Sequence, residues 1–299
     1  MLSVMKAAML LLIGACQLQQ PYQISVSVDL VVVHATVRDN KKKLVTDLAK
    51  ANFQVYEDGV RQAVRLFQHE DVPVTVGLVI DHSGSMRNKM PEVLEAAGVF
   101  VQSSSSEDEM FVVNFNENVT FGLPTAIRFS NREDELVAAI AHTATTGQTA
   151  LYDAVTVALE RLRTGSKDKK VLVVISDGGD NRSTHTLHDV LKIAEQTSTL
   201  IFTIGIFDPE DPDQNPAVLR TLAKSTGGEA YFPKRLQAVA ADCAGIAQDI
   251  RHQYAIGYVS SKPAQPGVHR SIRVTAAAGG RGALSVRARS GYITPGDGK

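Results

Sequence analysis

Apolar runs and amphipathic stretches alternate along residues 73–253. The runs at residues 74–80, 170–175 and 200–206 are nearly unbroken, as is typical of strands buried on both faces of a parallel sheet. Between them, apolar positions recur every three or four residues, which predicts helices. The predicted helices are residues 91–102, 133–142, 150–163, 187–196, 217–225 and 236–253, and shorter predicted strands are residues 111–115, 119–121 and 230–232. The pattern favours an α/β fold with a doubly wound, mainly parallel six-stranded sheet and helices on both faces.

Both flanks of this region are β-rich. Apolar and polar residues alternate in residues 22–72, and Asp58-Gly59 marks a tight hairpin whose returning strand is predicted at residues 64–67. Residues 254–292 contain three further predicted strands between Pro- and Gly-rich turns. Neither flank is long enough to bury a sizeable core alone. We therefore expect the two flanks to form one β-sandwich, with the α/β domain inserted between its halves. The alternative is two separate β-rich decorations packed on that domain.

The first twenty residues have the features of a secretory leader. Lys6 precedes an apolar run at residues 7–15, and a polar stretch follows. The run is shorter than the roughly 20 residues that a membrane-spanning helix needs. Residues 13–16, which end in Cys16, resemble the bacterial lipoprotein box, and this implies lipidation of that cysteine. We predict export to the periplasm, the cell envelope or the extracellular space. An ordinary signal cleaved nearby and a buried N-terminal helix are the alternatives to a lipid anchor.

Composition excludes several classes of protein. The 299 residues are 44% hydrophobic and 21% charged, as in an ordinary globular chain rather than a disordered, collagen-like or coiled-coil one. Lys and Arg total 31 against 32 Asp and Glu, so no basic excess favours a nucleic-acid partner. Only Cys16 and Cys243 are present, too few for a disulfide scaffold or a Cys-rich zinc site. Since Cys243 lies in a predicted helix, we expect a buried, unreactive thiol.

Oxygen-bearing side chains follow two of the predicted buried strands. Asp81, Ser83 and Ser85 lie on the turn after the first strand, Thr149 precedes a helix, and Asp177 follows the strand at the middle of the domain. Carboxyl ends of parallel strands meet at one edge of a sheet, so we expect the three loops to lie together. Hydroxyl and carboxylate oxygens are ligands that Mg²⁺ accepts, which predicts a metal site at this edge. Taken singly, Thr149 is also a possible helix N-cap and Asp177 a possible Asx turn.

This spacing resembles a known family. Residues 73–253 resemble the von Willebrand factor type A domain, and the three loops resemble its metal-ion-dependent adhesion site. The resemblance implies that the three hydroxyls supply oxygens to Mg²⁺ or Mn²⁺, directly or through water. It also implies that the two carboxylates stabilise the ion largely through bound waters. The flanking segments 53–59 and Tyr254–Val259 are similar to segments in von Willebrand A-related proteins of environmental bacteria.

The resemblance implies a non-catalytic protein-binding module. An open coordination position on the ion accepts an Asp or Glu carboxylate from a partner protein, because an anionic oxygen pairs well with a hard cation. We expect no nucleic-acid partner, and membrane contact only through the lipid anchor. Two alternatives stay open. One is an envelope assembly scaffold in which the metal only stabilises loops, and the other is a metal-assisted hydrolase that uses His82 as its base.

Other polar residues are assigned more ordinary roles. His82 lies between two motif residues, and we expect its side chain to point away from the ion, at the rim of the site. His185 and His188 are three residues apart near a helix start, but the sequence offers no convincing further zinc ligand beside them. The acidic loop at residues 208–213 is expected to be solvated or part of the ligand-facing rim. Neither motif serine lies in a Gly-x-Ser-x-Gly elbow, and no phosphate-binding loop is present.

Overall fold

The computed structural model describes residues 30–69, 71–208, 212–263 and 265–294. The strands of these residues are β1 (Leu30–Arg38), β2 (Phe53–Glu57), β3 (Val60–Gln62), β4 (Val64–Gln68), β5 (Val74–Asp81), β6 (Glu109–Phe115), β7 (Val119–Phe121), β8 (Lys169–Ser176), β9 (Leu200–Gly205), β10 (Ala230–Tyr231), β11 (Tyr254–Val259), β12 (His269–Ala276), β13 (Ser285–Arg287) and β14 (Gly291–Ile293). The α-helices are α1 (Met90–Gln102), α2 (Glu133–Ala141), α3 (Leu151–Leu162), α4 (Leu187–Thr197), α5 (Pro216–Thr226) and α6 (Val239–Arg251). Short 3-10 helices lie at Lys50–Asn52, Gly84–Lys89 and Leu236–Ala238.

A six-stranded sheet forms the centre of the α/β domain. Its strand order is β10-β9-β8-β5-β6-β7, and only β7 runs antiparallel to its neighbour. Every residue of β5 is buried, because helices cover both faces of the sheet. The predicted fold class, a mainly parallel six-stranded sheet with helices, is confirmed.

Local sequence signals fix the ends of the helices around this sheet. Thr186 and Asp189 form a capping box at the start of α4. Asn215 caps α5 by accepting a hydrogen bond from the backbone N–H of Val218, and α5 ends at Gly227, whose φ is 85°. These caps satisfy backbone groups that the helix itself leaves unpaired, and so set where the helices meet the loops.

The two flanks of the chain combine into a β-sandwich. One antiparallel sheet has the order β13-β1-β11-β4 and the other β14-β12-β2-β3. Each sheet therefore contains strands from before and after the α/β domain, as expected from the sequence. Val33, Ala35 and Val37 of β1 are fully buried in the core between the sheets, together with Tyr254 and Tyr258 of β11. This core is separate from the one around the central sheet.

The hairpin after Asp58-Gly59 differs from the prediction. Its returning strand is β3, which pairs with β2, whereas Val64–Gln68 leaves that sheet and pairs with β11 in the other one. The prediction placed the return at residues 64–67 and was wrong, because three residues are too few to show an alternating pattern. The C-terminal flank also contains a strand that was not predicted, Gly291–Ile293, which pairs with β12.

The sandwich packs against the edge of the central sheet where its parallel strands begin. Arg251, at the end of α6, contacts both Asp71 and Asp108, and these residues precede β5 and β6. Arg38 of β1 contacts Asp249 of α6 at 2.7 Å. These contacts leave the opposite edge, where β5 and β8 end, uncovered.

The predicted leader, its Cys16 lipidation site and the alternating residues 22–29 lie outside the described residues. Within the part of the chain that the structure covers, no helix is both long enough and apolar enough to cross a membrane.

Candidate metal centre

The two predicted carboxylates lie at the ends of neighbouring strands. Strands β5 and β8 run parallel, with Ile80 opposite Ile175. Asp81 ends β5, and Asp177 follows β8 directly. The register therefore brings both carboxylates to the same edge of the sheet, as the sequence predicted.

The loop after β5 is organised by the carboxylate of Asp81, which is completely buried. One of its oxygens accepts a hydrogen bond from the backbone N–H of Ser83 at 2.8 Å. The other accepts one from the hydroxyl of Ser176 at 2.6 Å. The Ser83 and Ser85 hydroxyl oxygens are 3.1 Å apart, so these two of the three motif hydroxyls face one another beside the carboxylate.

The loop after β8 contacts the first loop directly. The Ser85 hydroxyl donates to Oδ2 of Asp177 at 2.5 Å. Oδ1 of Asp177 accepts from the backbone N–H of Gly179 at 3.1 Å, so the residue does form an Asx turn. The turn uses one carboxylate oxygen, and the other points to the hydroxyls of the first loop.

Thr149 joins the same centre through backbone contacts. Its carbonyl accepts hydrogen bonds from the backbone N–H groups of Asn181 and Arg182, each at 3.0 Å. Its own N–H donates to Oδ1 of Asn181 at 2.9 Å. The residue two positions earlier, Gly147, accepts from the N–H of Gly84 at 3.1 Å. The three loops are thus connected in a ring.

The Thr149 side chain does not act as a helix cap. The N-cap of α3 is Ala150, and no side chain bonds the first turn from that position. Thr149 itself is 7% exposed. Its backbone contacts with Asn181 and Arg182 place the residue beside the loop that carries Asp177.

Electrostatics at this centre favour a cation. Burial, and then the negative charge of Asp177, raise the pKa of Asp81 to about 7, although hydrogen bonds from Ser176 and Ser83 act in the opposite direction. Asp177 is also buried. Two buried carboxylates at one site repel each other, and a bound divalent cation offsets this repulsion.

The donor set fits a hard divalent cation. It consists of carboxylate and hydroxyl oxygens, which Mg²⁺ and Mn²⁺ prefer over nitrogen or sulfur. Within the described ranges, the candidate centre included, no group of three or more His, Cys, Asp and Glu side chains is placed to hold a metal ion. The centre at the sheet edge relies instead on two carboxylates with hydroxyls around them.

Residues outside the predicted set support the loops. Ser176 lies beside Asp81 because β8 pairs with β5, a contact that only the register of two strands reveals. Glu117 accepts from the backbone N–H of Gln148 at 2.8 Å and so supports the second loop from outside. Asp180 accepts from the backbone N–H of Tyr152 at 2.9 Å, at the start of α3. No motif in the sequence marked the contacts of Ser176 and Glu117, whereas Asp180 follows Asp177 closely in the sequence and was a candidate to shape the metal loop.

His82 is not a rim residue. Its side chain is completely buried, and burial lowers its pKa. The Thr145 hydroxyl lies 3.5 Å from its Nδ1, and the backbone of His82 bonds Phe115 and Thr146. The prediction of a rim position was wrong, because the first loop turns inward at this residue and carries it into the core.

The remaining candidates have structural roles. Nδ1 of His185 lies 2.7 Å from the carboxylate of Asp153, and this carboxylate also accepts the backbone N–H of His185. His188 is exposed on α4. Cys243 is buried as expected, and burial together with the charge of Asp242 raises its pKa to about 12. A thiol with so high a pKa is inert at neutral pH.

Comparison with known proteins identifies the domain. Residues 75–241 match the family model of the von Willebrand factor type A domain. That match covers more than half of the chain. No curated protein matches the chain.

Two solved structures share the fold. A von Willebrand factor type A protein from Catenulispora acidiphila aligns with a TM-score of 0.53 and 15% identity, over 90% of this chain and 74% of that one. Proximal thread matrix protein 1 from the mussel byssus, solved with a zinc-occupied MIDAS motif, aligns with a TM-score of 0.55 and 14% identity, over 66% of this chain and 50% of that one. At such low identity the two structures are evidence for the fold alone.

Proposed function

Because the chain belongs to the von Willebrand factor type A domain family, whose members typically mediate protein–protein interactions, we propose that it is a metal-dependent protein-binding module. A Mg²⁺ or Mn²⁺ ion is held by the five residues of the ring of loops. These residues are Asp81, Ser83, Ser85, Thr149 and Asp177. The partner is a protein that presents an Asp or Glu side chain at this site.

One contact carries the proposal. The Ser85 hydroxyl meets the Asp177 carboxylate at 2.5 Å, which joins two loops that are 92 residues apart. Ser83 lies 3.1 Å from Ser85, so hydroxyls and carboxylate converge on a single point. This is the arrangement of oxygens that a small, hard cation requires.

Different residues of the site supply the charge that binds the cation and the hydrogen bonds that orient the ligands. Asp81 and Asp177 supply negative charge, while their hydrogen bonds from Ser83, Ser176 and Gly179 fix where the carboxylate oxygens point. When bound, the cation supplies an electrophilic centre that attracts an anionic oxygen. Burial of the site strengthens that attraction, since water screens it less.

We propose that the site is not catalytic. A metal-assisted hydrolase requires a general base within hydrogen-bond reach of its substrate. His82 is the only nearby candidate in the sequence, and its burial with a lowered pKa argues against that role. Metal-dependent turnover of ester or phosphate substrates that is lost in Asp81→Ala would overturn this part of the proposal.

We also propose that the protein is exported, with a lipid anchor at Cys16. The support is the leader pattern of residues 1–20. Mass spectrometry of the protein from membranes of its bacterial host tests this. A diacylglycerol-modified N-terminal cysteine supports the proposal, and an uncleaved or differently cleaved chain contradicts it.

Calorimetric titration of Mg²⁺ and Mn²⁺ tests the metal site. We expect saturable binding by the wild-type chain, and an affinity about 10–100-fold lower in Thr149→Ala. Asp81→Ala removes binding. Thr221→Ala, which removes an exposed hydroxyl on α5, and Asp134→Ala, which removes an exposed carboxylate on α2, are the matched controls. Equal binding by all five proteins would refute the site.

Partner capture separates an adhesive role from a purely structural one. The wild-type chain and Thr149→Ala are cross-linked to native envelope proteins in Mg²⁺ and in chelator. The proposal requires capture that depends on both Mg²⁺ and Thr149. If chelator lowers the melting temperature while capture is unchanged, the metal only stabilises the loops and the chain is a scaffold.

A further inference from the structure

We propose that the free end of the β-sandwich is a lipid-contacting surface, which turns the metal centre away from the membrane. We define the free end as the end at which β1 and β12 begin and β2 and β11 end. This inference rests on the predicted anchor at the leader. It is independent of whether the metal site captures a partner.

The free end is set by strand direction. Leu30 at the start of β1 pairs with Val259 at the end of β11. In the other sheet, β12 begins beside the end of β2, with Ile272 opposite Glu57. Both connections to the α/β domain, from β4 into β5 and from α6 into β11, leave the opposite end. The free end is thus the part of the sandwich farthest along the strands from the domain that carries the metal centre.

Exposed apolar side chains concentrate at this end. Of the six large hydrophobic side chains that are exposed in the described residues, four lie here. They are Leu30 (41% exposed), Val60 (47%), Val259 (37%) and Val268 (36%). Single exposed apolar residues are ordinary on a protein surface, but a group at one end marks an interaction surface.

Part of this group is continuous. Leu30 and Leu66 cover Gly257 so closely that a Cβ placed there would lie 2.7 Å from Leu66 and 3.1 Å from Leu30. Val259 pairs directly with Leu30, so its side chain lies on the same face. This part of the apolar surface therefore extends across β1, β11 and β4, whereas Val60 lies on β3 of the other sheet at the same end.

The charge at the free end suits a phosphate-bearing surface. Lys262 and Arg270 both contact Asp58, at 2.6 and 3.2 Å. Arg61 is exposed next to Val60, and no acidic side chain of the described ranges pairs with it. With Arg270 buried and Glu57 buried and bonded to hydroxyls, the accessible charges are the cations of Arg61 and Lys262 and the carboxylate of Asp58. Apolar side chains with exposed Lys and Arg beside them are typical of surfaces that meet anionic lipid headgroups.

The predicted lipid anchor before Leu30 indicates that a lipid bilayer contacts the free end. Cys16, the predicted lipidation site, is 14 residues before Leu30. Fourteen residues span at most about 50 Å, so an anchored chain keeps the free end close to the bilayer. A tether of this length raises the local concentration of the lipid surface, and weak apolar contacts then suffice for docking.

The absence of Trp from the sequence provides the test. Val60→Trp and Phe121→Trp each introduce one fluorescent reporter at an exposed position. Phe121 lies on β7 at the edge of the central sheet and is the matched control. The full chain, purified from host membranes, is reconstituted into vesicles of phosphatidylethanolamine and phosphatidylglycerol with brominated acyl chains, which quench nearby Trp emission.

We expect the Val60→Trp reporter to lose emission and shift to the blue when vesicles are present, while the Phe121→Trp reporter does not change. The inference is overturned if the chain does not co-float with the vesicles, or if both reporters respond equally or not at all. A blue shift of the Val60→Trp reporter that grows with protein concentration in the absence of vesicles would also overturn it. That outcome would assign the surface to a second copy of the chain.

Discussion

At the scale of single residues, the metal centre depends on a backbone that bends sharply at Gly178. Its φ is +82°, and a Cβ at this position would lie 2.4 Å from the carbonyl oxygen of Asn215. Asn215 is also the N-cap of α5, and its N–H donates to the carbonyl of Asp177. The loop that carries Asp177 is therefore packed directly on the start of a helix, which leaves no room for a side chain.

Gly178→Ala should destabilise the protein more than Gly280→Ala. Both positions have φ near +80°, which costs about 1–2 kcal/mol for alanine. Only Gly178 adds a clash with backbone, worth about a further 1–3 kcal/mol, since a Cβ at Gly280 meets nothing within 4 Å. Urea unfolding of the two variants measures the difference. Equal losses of stability would show that the contact with Asn215 is unimportant.

His34 should make the protein sensitive to acid. Burial, and then the charges of Lys169 and Arg289, lower its pKa from 6.5 to about 3. Between these pH values His34 is protonated in the unfolded chain but not in the native state. The free energy of unfolding therefore falls as the pH drops from 6.5 towards 3. His34→Gln should lose less stability over this range than the wild type.

Urea unfolding at several pH values between 3 and 7 provides the measurement for His34→Gln. His188→Gln, an exposed position on α4, is the control and should follow the wild-type curve. Parallel curves for wild type and His34→Gln would contradict the assignment.

At the scale of elements, α6 and β1 are held together by one buried carboxylate. Asp249 of α6 is 1% exposed and contacts Arg38 of β1 at 2.7 Å and Arg287 of β13 at 2.6 Å. The Tyr231 hydroxyl also donates to it, at 3.2 Å. Three elements from distant parts of the chain thus share this carboxylate, and both arginines also contact Glu229, at 2.8 Å from Arg287 and 3.8 Å from Arg38.

Asp249→Asn should lower the free energy of unfolding by about 3 kcal/mol, the low end for a broken buried pair, because it leaves two guanidinium groups with only the partly exposed carboxylate of Glu229 as counter-charge. The same substitution in the exposed pair of Asp134 with Arg132 should cost at most about 1 kcal/mol. Thermal and urea unfolding compare the two variants. A loss for Asp249→Asn no larger than that for Asp134→Asn would contradict a role for Asp249 in joining the domains.

Element patterns also show how far the sequence predicts this molecule. Strands β5, β8 and β9 are long, buried and apolar, so hydrophobicity alone located them. Val60–Gln62 and Gly291–Ile293 are three residues each and take their strand conformation from their neighbours. For the candidate site, strand order predicted that Asp81 and Asp177 share an edge. The inward turn that buries His82 depends on loop contacts that no short pattern encodes.

At the scale of the whole molecule, the sandwich requires both flanks of the chain. Strand β1 lies between β11 and β13, and β2 lies between β12 and β3. Of these four partners, only β3 comes from the same flank. The N-terminal strands consequently cannot complete either sheet until the α/β domain and the C-terminal flank have been synthesised.

Truncation after residue 253 should unfold the sandwich and leave the central sheet intact. We expect fast amide hydrogen exchange throughout β1 and slow exchange in β5, which keeps β6 and β8 as neighbours. Truncation after residue 294, where the described chain ends, is the control and should leave β1 protected. Protection of β1 in the shorter chain would show that the N-terminal flank folds without its C-terminal partner.

Strand direction in the sandwich has a practical consequence for handling the protein. The described chain begins at Leu30, and its last strand ends at Ile293 opposite His269, so both ends of the described chain lie on the same side. Coupling to a sensor chip or a bead through a residue at either end of the described chain would therefore present the ring of loops to the solution. A tag that follows the last strand suits a binding assay, because the proposed cleavage before Cys16 would remove a tag at the N-terminus.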